Sequence, residues 1–578
     1  MLRSTVSGGF IARTCLVLLA SSATLVACGD DDDSDTSHTG GTNGAGGAKG
    51  GTGGKTSTGG TGVGGTGGTS SGGARTTGGT SSGGSSTTGG NQSAGEAGVG
   101  GESGAGAGAG GTAGSAGEAG AGGSVAGAGG SVAGGGAGGE GGAGTADLCR
   151  GIELPAGKYF VHDGLCVRAV ATDQGKLRQL SFDQQGSLLG VTVDGAVLRY
   201  RDLDDDGVFS SAGEIVQIAS TGGNGNNAHL DVASGYLYAG TPTGVKRWQY
   251  LVNSNALGAG EDVVVGQEST GNHTFHTAHV YDGYLYVSSG SAANVSAPAT
   301  PEYDTNRAVL KRFPLASFTP GTPFAWSAGE VFVRGIRNMV GFTRNQAGRM
   351  YGVVNGMDDL VYATQDVHLD NPGEDLILLE AGAAHGYPYC FTASHVVVNS
   401  LVVNPGTQLA GSVTGFTNPR SNDWCADNSS PPVTFMPPHS APLDLTFFDS
   451  APAGGLPESF RGGAFVALHG SWNTTPSVGH QIIFVPFNSD GTAAKPTADA
   501  TSTTFPFTVV FGGGTASGPV PGIWGWQGAT AGENPVRPVG VAISPVEGAL
   551  YVSSDNASVV NGATGANQGY LYRIALQR

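Results

Sequence analysis

The sequence predicts an all-β globular region, and more specifically a six-bladed β-propeller, from three observations. A short pattern of Gly, any residue, an apolar residue and usually Tyr or Phe recurs six times, and a second strand-like stretch follows each copy. No amphipathic helical run of any length is evident. A Gly turn, a strand, a break and another strand form the repeating unit of a propeller blade. A β-sandwich or two separate β domains are the alternative.

The six repeats follow one another in a regular order along the chain. The Gly-led stretches are Gly186–Leu189, Gly235–Tyr238, Gly283–Tyr286, Gly348–Tyr351, Gly462–Phe465 and Gly548–Tyr551. Their partners are Ala196–Tyr200, Gly244–Trp248, Ala308–Arg312, Asp375–Leu379, Gln481–Val485 and Gly569–Arg573. We expect the last strand, Tyr570–Leu576, to share a blade with an N-terminal strand near Lys158–Val161, which would close the ring.

Residues 1–27 have the features of a signal peptide. The apolar run that begins at Cys15 is too short to span a membrane as a stable helix. It ends in Leu-Val-Ala-Cys28, which resembles the bacterial lipobox and implies cleavage before Cys28 and lipidation of its thiol. An ordinary signal peptide with an incidental cysteine is the alternative. We therefore expect an exported protein that is held to a bacterial membrane, in the periplasm or at the cell surface, by a lipid anchor rather than a span.

Residues 28–146 are dominated by Gly, Ser, Thr and Ala, and residues 147–578 form the globular region. The first segment lacks a Gly-X-Y period and has too few large apolar residues to form a core, so a long disordered linker is predicted. The formal net charge of -18 disfavours nucleic acid as a partner, because few cations are present to neutralise phosphates.

The globular region contains an even number of cysteines. In an exported chain this number predicts disulfides. The sequential pairing, Cys149 with Cys166 and Cys390 with Cys425, is the working hypothesis, and the sequence does not prove it.

Polar residues gather next to the predicted strands. These stretches are Asn272–His279, Gly335–Phe342, Asn355–Asp359, Pro437–Pro442, His469–Asn473 and Arg537–Ile543. Loops of a propeller meet near its axis on one face, so residues that are far apart in sequence can share one central pocket.

In their order, these stretches resemble motifs of the quinoprotein glucose and sorbosone dehydrogenases, and the sorbosone-type branch most of all. The stretches that carry the resemblance are Gly335–Phe342, Asn355–Asp358, Glu374–Cys390, His469–Asn473, Arg537–Ala542, Gly548–Asp555 and Leu571–Arg573. The resemblance implies a six-bladed propeller that uses pyrroloquinoline quinone (PQQ) and calcium. It further implies oxidation of an aldose, or a related sugar aldehyde or alcohol, by hydride transfer to the quinone.

The resemblance also implies roles for individual residues. His273 stands where the family has its general base, and His276 is an alternative because the local spacing differs by one residue. The backbone carbonyls of Gly356 and Met357 would bind calcium, which prefers hard oxygen ligands. The residues that would bind or surround the quinone are Arg337, Asn338, His439, His469, Trp472 and Arg537.

The types of these residues suit the implied chemistry. Histidine suits the role of a base near neutral pH. The guanidinium fork of Arg337 matches a carboxylate or the oxygen pair of an ortho-quinone. A purely structural ion pair of Arg337 with Asp358 or Asp359 is the alternative interpretation.

Two other functions remain open at this point. A non-catalytic cell-surface propeller that binds a carbohydrate or protein is favoured by Val539, which stands where the glucose branch has a second Arg, and by the lack of a clear counterpart to its Lys near Asn473. A calcium-dependent lactonase-type hydrolase would need calcium held by side chains at the axis. The Arg337–Asn338 pair favours the dehydrogenase, whose substrate would be a small sugar or aldehyde and whose electron acceptor the sequence does not reveal.

A second calcium site is predicted independently of the family. Asp202, Asp204, Asp206 and Gly207 have the D-x-D-x-D-G spacing of a calcium loop, in which three carboxylates converge and the glycine permits the turn. An acidic residue follows at Glu214, one place after the usual twelfth position. Strands surround this stretch, which favours a calcium-bound blade loop over an EF-hand. A solvated acidic turn is the alternative.

Overall fold

The computed structural model describes residues 147–578 apart from 224–229, 275, 297–303, 451, 453, 472, 475–477, 514–535 and 556–568. The predicted signal peptide, the lipidation site Cys28, the linker and Trp472 lie outside the described residues. Within the described residues the chain is nearly all β, which confirms the predicted fold class. Its only α-helix there is Asn422–Asn428, and the 3-10 segments are Leu315–Ser317, Trp326–Ala328, His368–Asp370 and Glu458–Phe460. No helix among these residues has the length and apolar character needed to cross a membrane.

Six sheets of four or five strands form the body of the described region. Sheet 1 contains Leu177–Phe182, Leu188–Thr192, Ala196–Tyr200 and Ile215–Ser220. Sheet 2 contains Leu230–Ala233, Tyr236–Thr241, Gly244–Gln249, Glu261–Val265 and Phe324–Ala325. Sheet 3 contains Ala278–Tyr281, Tyr284–Ser289, Val309–Pro314, Glu330–Arg334 and Ala383–Ala384.

The other three large sheets follow the same plan. Sheet 4 contains Phe342–Arg344, Met350–Val354, Glu374–Leu378 and Thr434–Met436. Sheet 5 contains Pro442–Phe447, Ala464–Leu468, Gln481–Val485, Thr508–Gly513 and Tyr159–Val161. Sheet 6 contains Pro538–Ile543, Leu550–Ser554, Tyr570–Leu576 and Leu165–Ala171. Neighbouring strands pair antiparallel, except that Phe324–Ala325 and Ala383–Ala384 add to their sheets in parallel.

Shorter strands form small sheets outside these six. One joins Gln365–Asp366, Leu360–Tyr362 and Ser412–Val413. The others pair Cys390–Thr392 with Gln408–Ala410, Val397–Val398 with Leu401–Val402, and Thr497–Ala498 with Thr503–Thr504.

The repeated glycine marks the turn between the first and second strands of every large sheet. All six glycines of the repeat have a positive φ, between 69° and 85°. This left-handed conformation is readily accessible to glycine and costly for residues with a Cβ, which explains why the pattern begins with Gly each time. The Gly-led stretches and their partners all form strands, as the sequence predicted.

The predicted partner of the last strand was wrong. Tyr570–Leu576 pairs with Leu165–Ala171, which completes sheet 6. Tyr159–Val161 pairs instead with Thr508–Gly513 and extends sheet 5. The physical reason is burial, because Leu165–Ala171 is a seven-residue stretch with six buried side chains, whereas Tyr159–Val161 has three residues and only one of them is buried.

Hydrophobic side chains join each large sheet to the next. Separate clusters link sheets 1 and 2, 2 and 3, 3 and 4, 4 and 5, and 5 and 6. A sixth cluster, which includes Leu177, Leu188, Tyr551 and Leu571, links sheet 6 back to sheet 1. Burial of apolar area on both faces of the sheets is therefore the main stabilising contribution.

The first strands of the sheets lie close to one another and position the loops that precede them. Val340, Leu443 and Val539 from sheets 4, 5 and 6 form a small buried cluster there. Gly540 permits this approach, because a Cβ at that position would lie 2.7 Å from the carbonyl oxygen of Arg178. Val539, which stands in place of the second arginine of the glucose branch, is thus a packing residue.

The described residues contain two disulfides, one near their N-terminal end and one in a long connection within sheet 4. Cys149 is bonded to Cys166, beside the strand that completes sheet 6. Cys390 is bonded to Cys425 of the short α-helix, in the segment between the third and fourth strands of sheet 4.

Candidate functional site

Asp358 lies at the centre of a polar cluster that unites four distant stretches of sequence. Its Oδ2 lies 3.4 Å from Nη2 of Arg337, and its Oδ1 lies 3.7 Å from Nδ1 of His439. Asn473 donates from Nδ2 to the same Oδ1 at 2.9 Å. Arg337 and His439 precede the first strands of sheets 4 and 5, and Asn473 follows the second strand of sheet 5. We call Arg337, Asp358, His368, His439 and Asn473 the Asp358 cluster.

The two histidines of this cluster contact each other. The rings of His368 and His439 pack edge to face with centroids 4.5 Å apart. Nε2 of His439 hydrogen-bonds the carbonyl oxygen of His368 at 2.8 Å, so this nitrogen carries a proton. Burial lowers the pKa of His439, but the neighbouring Asp358 outweighs burial and the pKa is raised. Ligand atoms of Asp358, His368 and His439 lie within 4.8 Å of one another, close enough to share a cation.

Arg337 makes the ion pair that the sequence offered as an alternative to quinone binding. Its guanidinium also donates to both oxygens of Asn294, from Nε at 3.0 Å and from Nη2 at 3.1 Å. The neighbouring Asn338 donates from Nδ2 to Oδ1 of Asn355 at 2.7 Å. Arg337 is only 4% exposed, so its contacts hold a fixed, buried cation at the site.

Gly356 and Met357 lie next to Glu374, a buried acid for which no role was predicted. The backbone N–H of Gly356 donates to Oε2 of Glu374 at 2.8 Å. Burial raises the pKa of Glu374 to about 7. A Cβ on Gly356 would lie 2.2 Å from Cγ of Pro372, so glycine is required there. The binding of calcium by the carbonyls of Gly356 and Met357 stays a prediction.

The hydrogen bonds of His273 fix its tautomer. Nδ1 lies 2.7 Å from Oγ of Ser291, and the Ser291 hydroxyl donates to the carbonyl oxygen of Ala293 at 2.7 Å. Because the single hydroxyl proton is committed to Ala293, Ser291 accepts from Nδ1–H, and the lone pair of the imidazole is on Nε2. Burial lowers the pKa of His273 well below its usual value. The ring is therefore neutral and able to accept a proton.

His273 and Asn338 meet across Gly290. A Cβ on Gly290 would lie 2.5 Å from Cβ of His273 and 3.2 Å from Oδ1 of Asn338. His276 is oriented differently, because its Nε2 hydrogen-bonds the carbonyl oxygen of Pro242 at 3.2 Å in the turn after the second strand of sheet 2. Of the two histidines, His273 thus lies beside a glycine that a predicted quinone-binding residue also approaches.

A second buried group surrounds His469. Nδ1 of His469 lies 3.1 Å from Nη2 of Arg537, and Nε2 lies 3.2 Å from Oδ2 of Asp555. The same carboxylate oxygen accepts from Nη1 of Arg178 at 2.9 Å. All four side chains are less than a tenth exposed. We call Arg178, His469, Arg537 and Asp555 the His469 group.

The strand end Ala464–Leu468 leads into both parts of the site. His469, directly after the strand, contacts Arg537, and Asn473, four residues later, contacts Asp358. The His-Gly-Ser-Trp-Asn stretch therefore joins the Asp358 cluster to the His469 group. No role was predicted for Arg178 or His368. Glu374 and Asp555 stood only as the first and last residues of two motifs, and an acidic residue next to an apolar strand was the available signal for each.

The acidic loop lies elsewhere, between the third and fourth strands of sheet 1. Oxygens of Asp202, Asp204 and Asp206 lie within 4.8 Å of one another on exposed side chains. Asp202 already accepts from the backbone N–H of Gly207 at 2.8 Å. Glu214, which is buried, accepts three backbone N–H groups. These hydrogen bonds shape the turn, and calcium binding stays a prediction.

The melting temperature with and without calcium tests whether this loop binds the ion. If calcium binds there, saturating calcium should raise the melting temperature of the chain, by an amount set by the ratio of its concentration to Kd. Asp204→Asn should remove part of that rise, because it deletes one of three charged ligands. The exposed Asp194→Asn is the control and should keep the full rise. An unchanged calcium response in the Asp204 variant would identify the loop as a solvated turn.

Comparisons with known proteins agree with the motifs. A model of the TrAA12-like family matches residues 159–561. A pyrroloquinoline quinone-dependent pyranose dehydrogenase of Coprinopsis cinerea is 27% identical over 353 residues, covering 58% of this chain and 46% of the relative. A pyrroloquinoline quinone-dependent sugar dehydrogenase of Hypocrea jecorina is 27% identical over 361 residues, covering 59% of this chain and 77% of the relative. The matched region spans about half the length of the Coprinopsis relative.

Solved structures show the same fold. The holo form of the pyranose dehydrogenase PQQ domain from Coprinopsis cinerea superposes with a TM-score of 0.59 at 23% identity, covering 74% of this chain and 98% of that one. A Trichoderma reesei enzyme of family AA12 gives a TM-score of 0.59 at 22% identity, covering 74% and 99%. The family model covers most of the chain, and the resemblance carried by the ordered motifs is confirmed. The chain belongs to the TrAA12-like family.

Proposed function

We propose that the chain is a quinoprotein dehydrogenase that oxidises an aldose or other pyranose sugar with PQQ as its cofactor. One observation carries this proposal. His273, whose tautomer places the lone pair on Nε2, and Asn338 both approach Gly290, and Asn338 directly follows Arg337 in sequence. A neutral base and a fixed cation therefore share one site. The names of the relatives, which are PQQ-dependent sugar dehydrogenases, support the same reading.

The donor set of the site fits PQQ. The cofactor carries carboxylates and an ortho-quinone, which need cations and hydrogen-bond donors. Arg337 and Arg537 are buried arginines, 4% and 8% exposed, and buried guanidinium groups are suited to planar oxyanions. Asn338 and Asn473 add amide groups, which are fixed by hydrogen bonds to Asn355 and Asp358. Arg337 and Asn338 would hold the quinone side, and Arg537 would bind a carboxylate.

The residues of the chain would divide the work as follows. When bound, PQQ supplies the electrophile that accepts the hydride. His273 would take the proton of the sugar hydroxyl at Nε2, while Ser291 holds its Nδ1–H and so keeps the ring in place. Arg307 donates to the backbone carbonyl oxygens of both His273 and Ser291, at 3.1 and 2.9 Å, and fixes the segment that carries the base.

We also propose that the six large sheets are the blades of a six-bladed propeller. The six interface clusters, which run in order and return from sheet 6 to sheet 1, support a closed ring. The approach of the first strands of sheets 4, 5 and 6 around Val340, Leu443 and Val539 supports an axis at that point. Such an axis explains why loops from several sheets reach one site.

Export and lipid anchoring at Cys28 are likewise proposed. The two disulfides support an oxidising compartment, since disulfides are rare in the cytosol. If the anchor exists, Cys28→Ser should remove the protein from the membrane fraction, and Cys15→Ser should leave it there.

We also propose that the enzyme depends on calcium, which the backbone carbonyls of Gly356 and Met357 would bind.

Cofactor binding tests the proposed function. The full chain, prepared without cofactor, is titrated with PQQ in the presence and absence of calcium while quinone absorbance is followed. We expect saturable binding, bleaching of the quinone on addition of an aldose, and reduction of an acceptor dye. Binding without bleaching by any pyranose would favour a non-catalytic propeller. Absence of binding at high micromolar PQQ would reject the dehydrogenase.

A further inference from the structure

Asp555 lies in the His469 group and contacts two residues that the family resemblance assigns to the quinone, His469 and Arg537, but it has no assigned role of its own. Its carboxylate is buried, and Oδ2 accepts hydrogen bonds from both Arg178 and His469. Its backbone N–H also donates to the carbonyl oxygen of Arg537 at 3.0 Å. The carboxylate is therefore anchored on two sides and has a fixed direction.

The contact between His469 and Arg537 determines where the imidazole proton lies. A guanidinium group can only donate hydrogen bonds, so Nδ1 of His469, 3.1 Å from Nη2 of Arg537, must be the acceptor. The ring proton is then on Nε2, which faces Oδ2 of Asp555 at 3.2 Å. The opposite tautomer would direct Nδ1–H against the N–H of Arg537 and leave a lone pair facing the carboxylate.

The charges of the group favour the same arrangement. Burial alone would raise the pKa of Asp555, but Arg178, His469 and Arg537 outweigh burial and the pKa is lowered. An ionised carboxylate is a strong acceptor for Nε2–H. Burial lowers the pKa of Arg537 to about 10, so the guanidinium remains charged near neutral pH. The other titratable neighbour, His480, is fully buried with a pKa lowered to about 3, so it adds no charge.

We propose that Asp555, oriented by Arg178, is a positioning residue that holds His469 in the Nε2–H tautomer, so that Nδ1 orients the guanidinium of Arg537 for the cofactor. The inference rests on the proposed function, in which Arg537 binds a carboxylate of PQQ. Asp555 does not touch the cofactor in this arrangement and acts only through His469. At metal sites, residues that hydrogen-bond a ligand and orient it typically contribute about 10–100-fold to metal affinity or activity. We expect an effect of similar size on cofactor affinity here.

The tautomer of His469 is the first measurement. The full-length chain is labelled with [15N]histidine, and the His469 signals are identified by comparison with His469→Gln. We expect the Nε2–H form in the cofactor-free wild type. Asp555→Asn, which has amide hydrogens of its own, and Asp555→Leu, which has no acceptor, should increase the Nδ1–H form. If neither variant changes the tautomer, the proposal is overturned, whatever the chain does with PQQ.

The affinity for PQQ is the second measurement. Asp555→Asn should weaken binding by about 10–100-fold. Asp444→Asn is the matched control, because Asp444 is also buried, in the first strand of sheet 5, and among the described residues it accepts backbone N–H groups, those of Leu445 and Val541. It should bind PQQ within a few-fold of wild type. Melting temperatures of all variants show whether each one folds.

A double-mutant cycle distinguishes a positioning role of Asp555 from an effect of its negative charge alone. In a His469→Leu background, Asp555→Asn should cause little further loss of affinity, since its route to Arg537 is already broken. An equal loss in both backgrounds would mean that Asp555 acts through Arg178 or net charge, and would overturn the proposal. A wild type that binds no PQQ would reject the proposed function, while the tautomer measurement would still decide the role of Asp555.

Discussion

Replacement of His273 by alanine is expected to lower kcat by about 10²–10⁴-fold, the range for loss of a general base. Affinity for PQQ should change little, because the donors assigned to the quinone are other residues. Steady-state kinetics with an aldose, together with a PQQ titration, measure both effects. His276→Ala is the matched control, since its imidazole hydrogen-bonds the main chain at Pro242, and it should retain most of the turnover.

The pH profile gives this prediction a second readout. A base is active when unprotonated, and the pKa of His273 lies well below the usual value because the ring is buried. The acid limb of the kcat/KM profile, which reports groups of the free enzyme, should therefore fall below about pH 6.5, the ordinary pKa of histidine. Turnover in His273→Ala that matches the wild type, or loss in His276→Ala alone, would assign the base to His276.

Replacement of Arg307 by methionine is expected to destabilise the fold by about 3 kcal/mol or more, because several buried carbonyl oxygens lose their donor at once. The guanidinium is 4% exposed and donates to the carbonyl oxygens of Gly290, Thr270, His273 and Ser291. The melting temperature and the urea midpoint should both fall. Turnover of the folded variant should also fall, because the segment that carries the base is no longer held.

Arg312→Met is the matched control for Arg307. Arg312 lies in the strand Val309–Pro314, shortly after Arg307 in sequence, but its ion pair is with Glu330, whose side chain is 57% exposed. Exposed pairs of this kind contribute about 0–1 kcal/mol, so the melting temperature should change little. Equal destabilisation by the two substitutions would show that the hydrogen bonds of Arg307 to carbonyl oxygens contribute no more to stability than the exposed ion pair of Arg312.

The sequence predicted the strands of the large sheets well because one local requirement recurs. Each first hairpin turn needs a left-handed residue, so glycine reports its position directly. Ring closure was predicted wrongly because pairing between chain ends leaves no local signal. Tyr159–Val161 and Leu165–Ala171 both have strand character, and only burial in the folded chain decides between them.

The site residues that lie next to strand ends could be predicted from the sequence. The site residues whose role depends on a contact with a distant segment could not. Arg337, His439 and His469 were found because polar residues beside apolar strands are conspicuous. Arg178 was missed because it lies inside the first strand of sheet 1, and its partner Asp555, directly after a strand of sheet 6, is distant in sequence. The tautomers of His273 and His469 depend on hydrogen bonds between distant segments, which no single stretch of sequence encodes.

Sheet 6 pairs strands from widely separated parts of the sequence, and this has a consequence for biosynthesis. Leu165–Ala171 is translated long before its partner Tyr570–Leu576. The early strand therefore has an unpaired edge until its partner is available, and unpaired edges invite association with other chains. A chain truncated before residue 570 would be unable to complete this sheet.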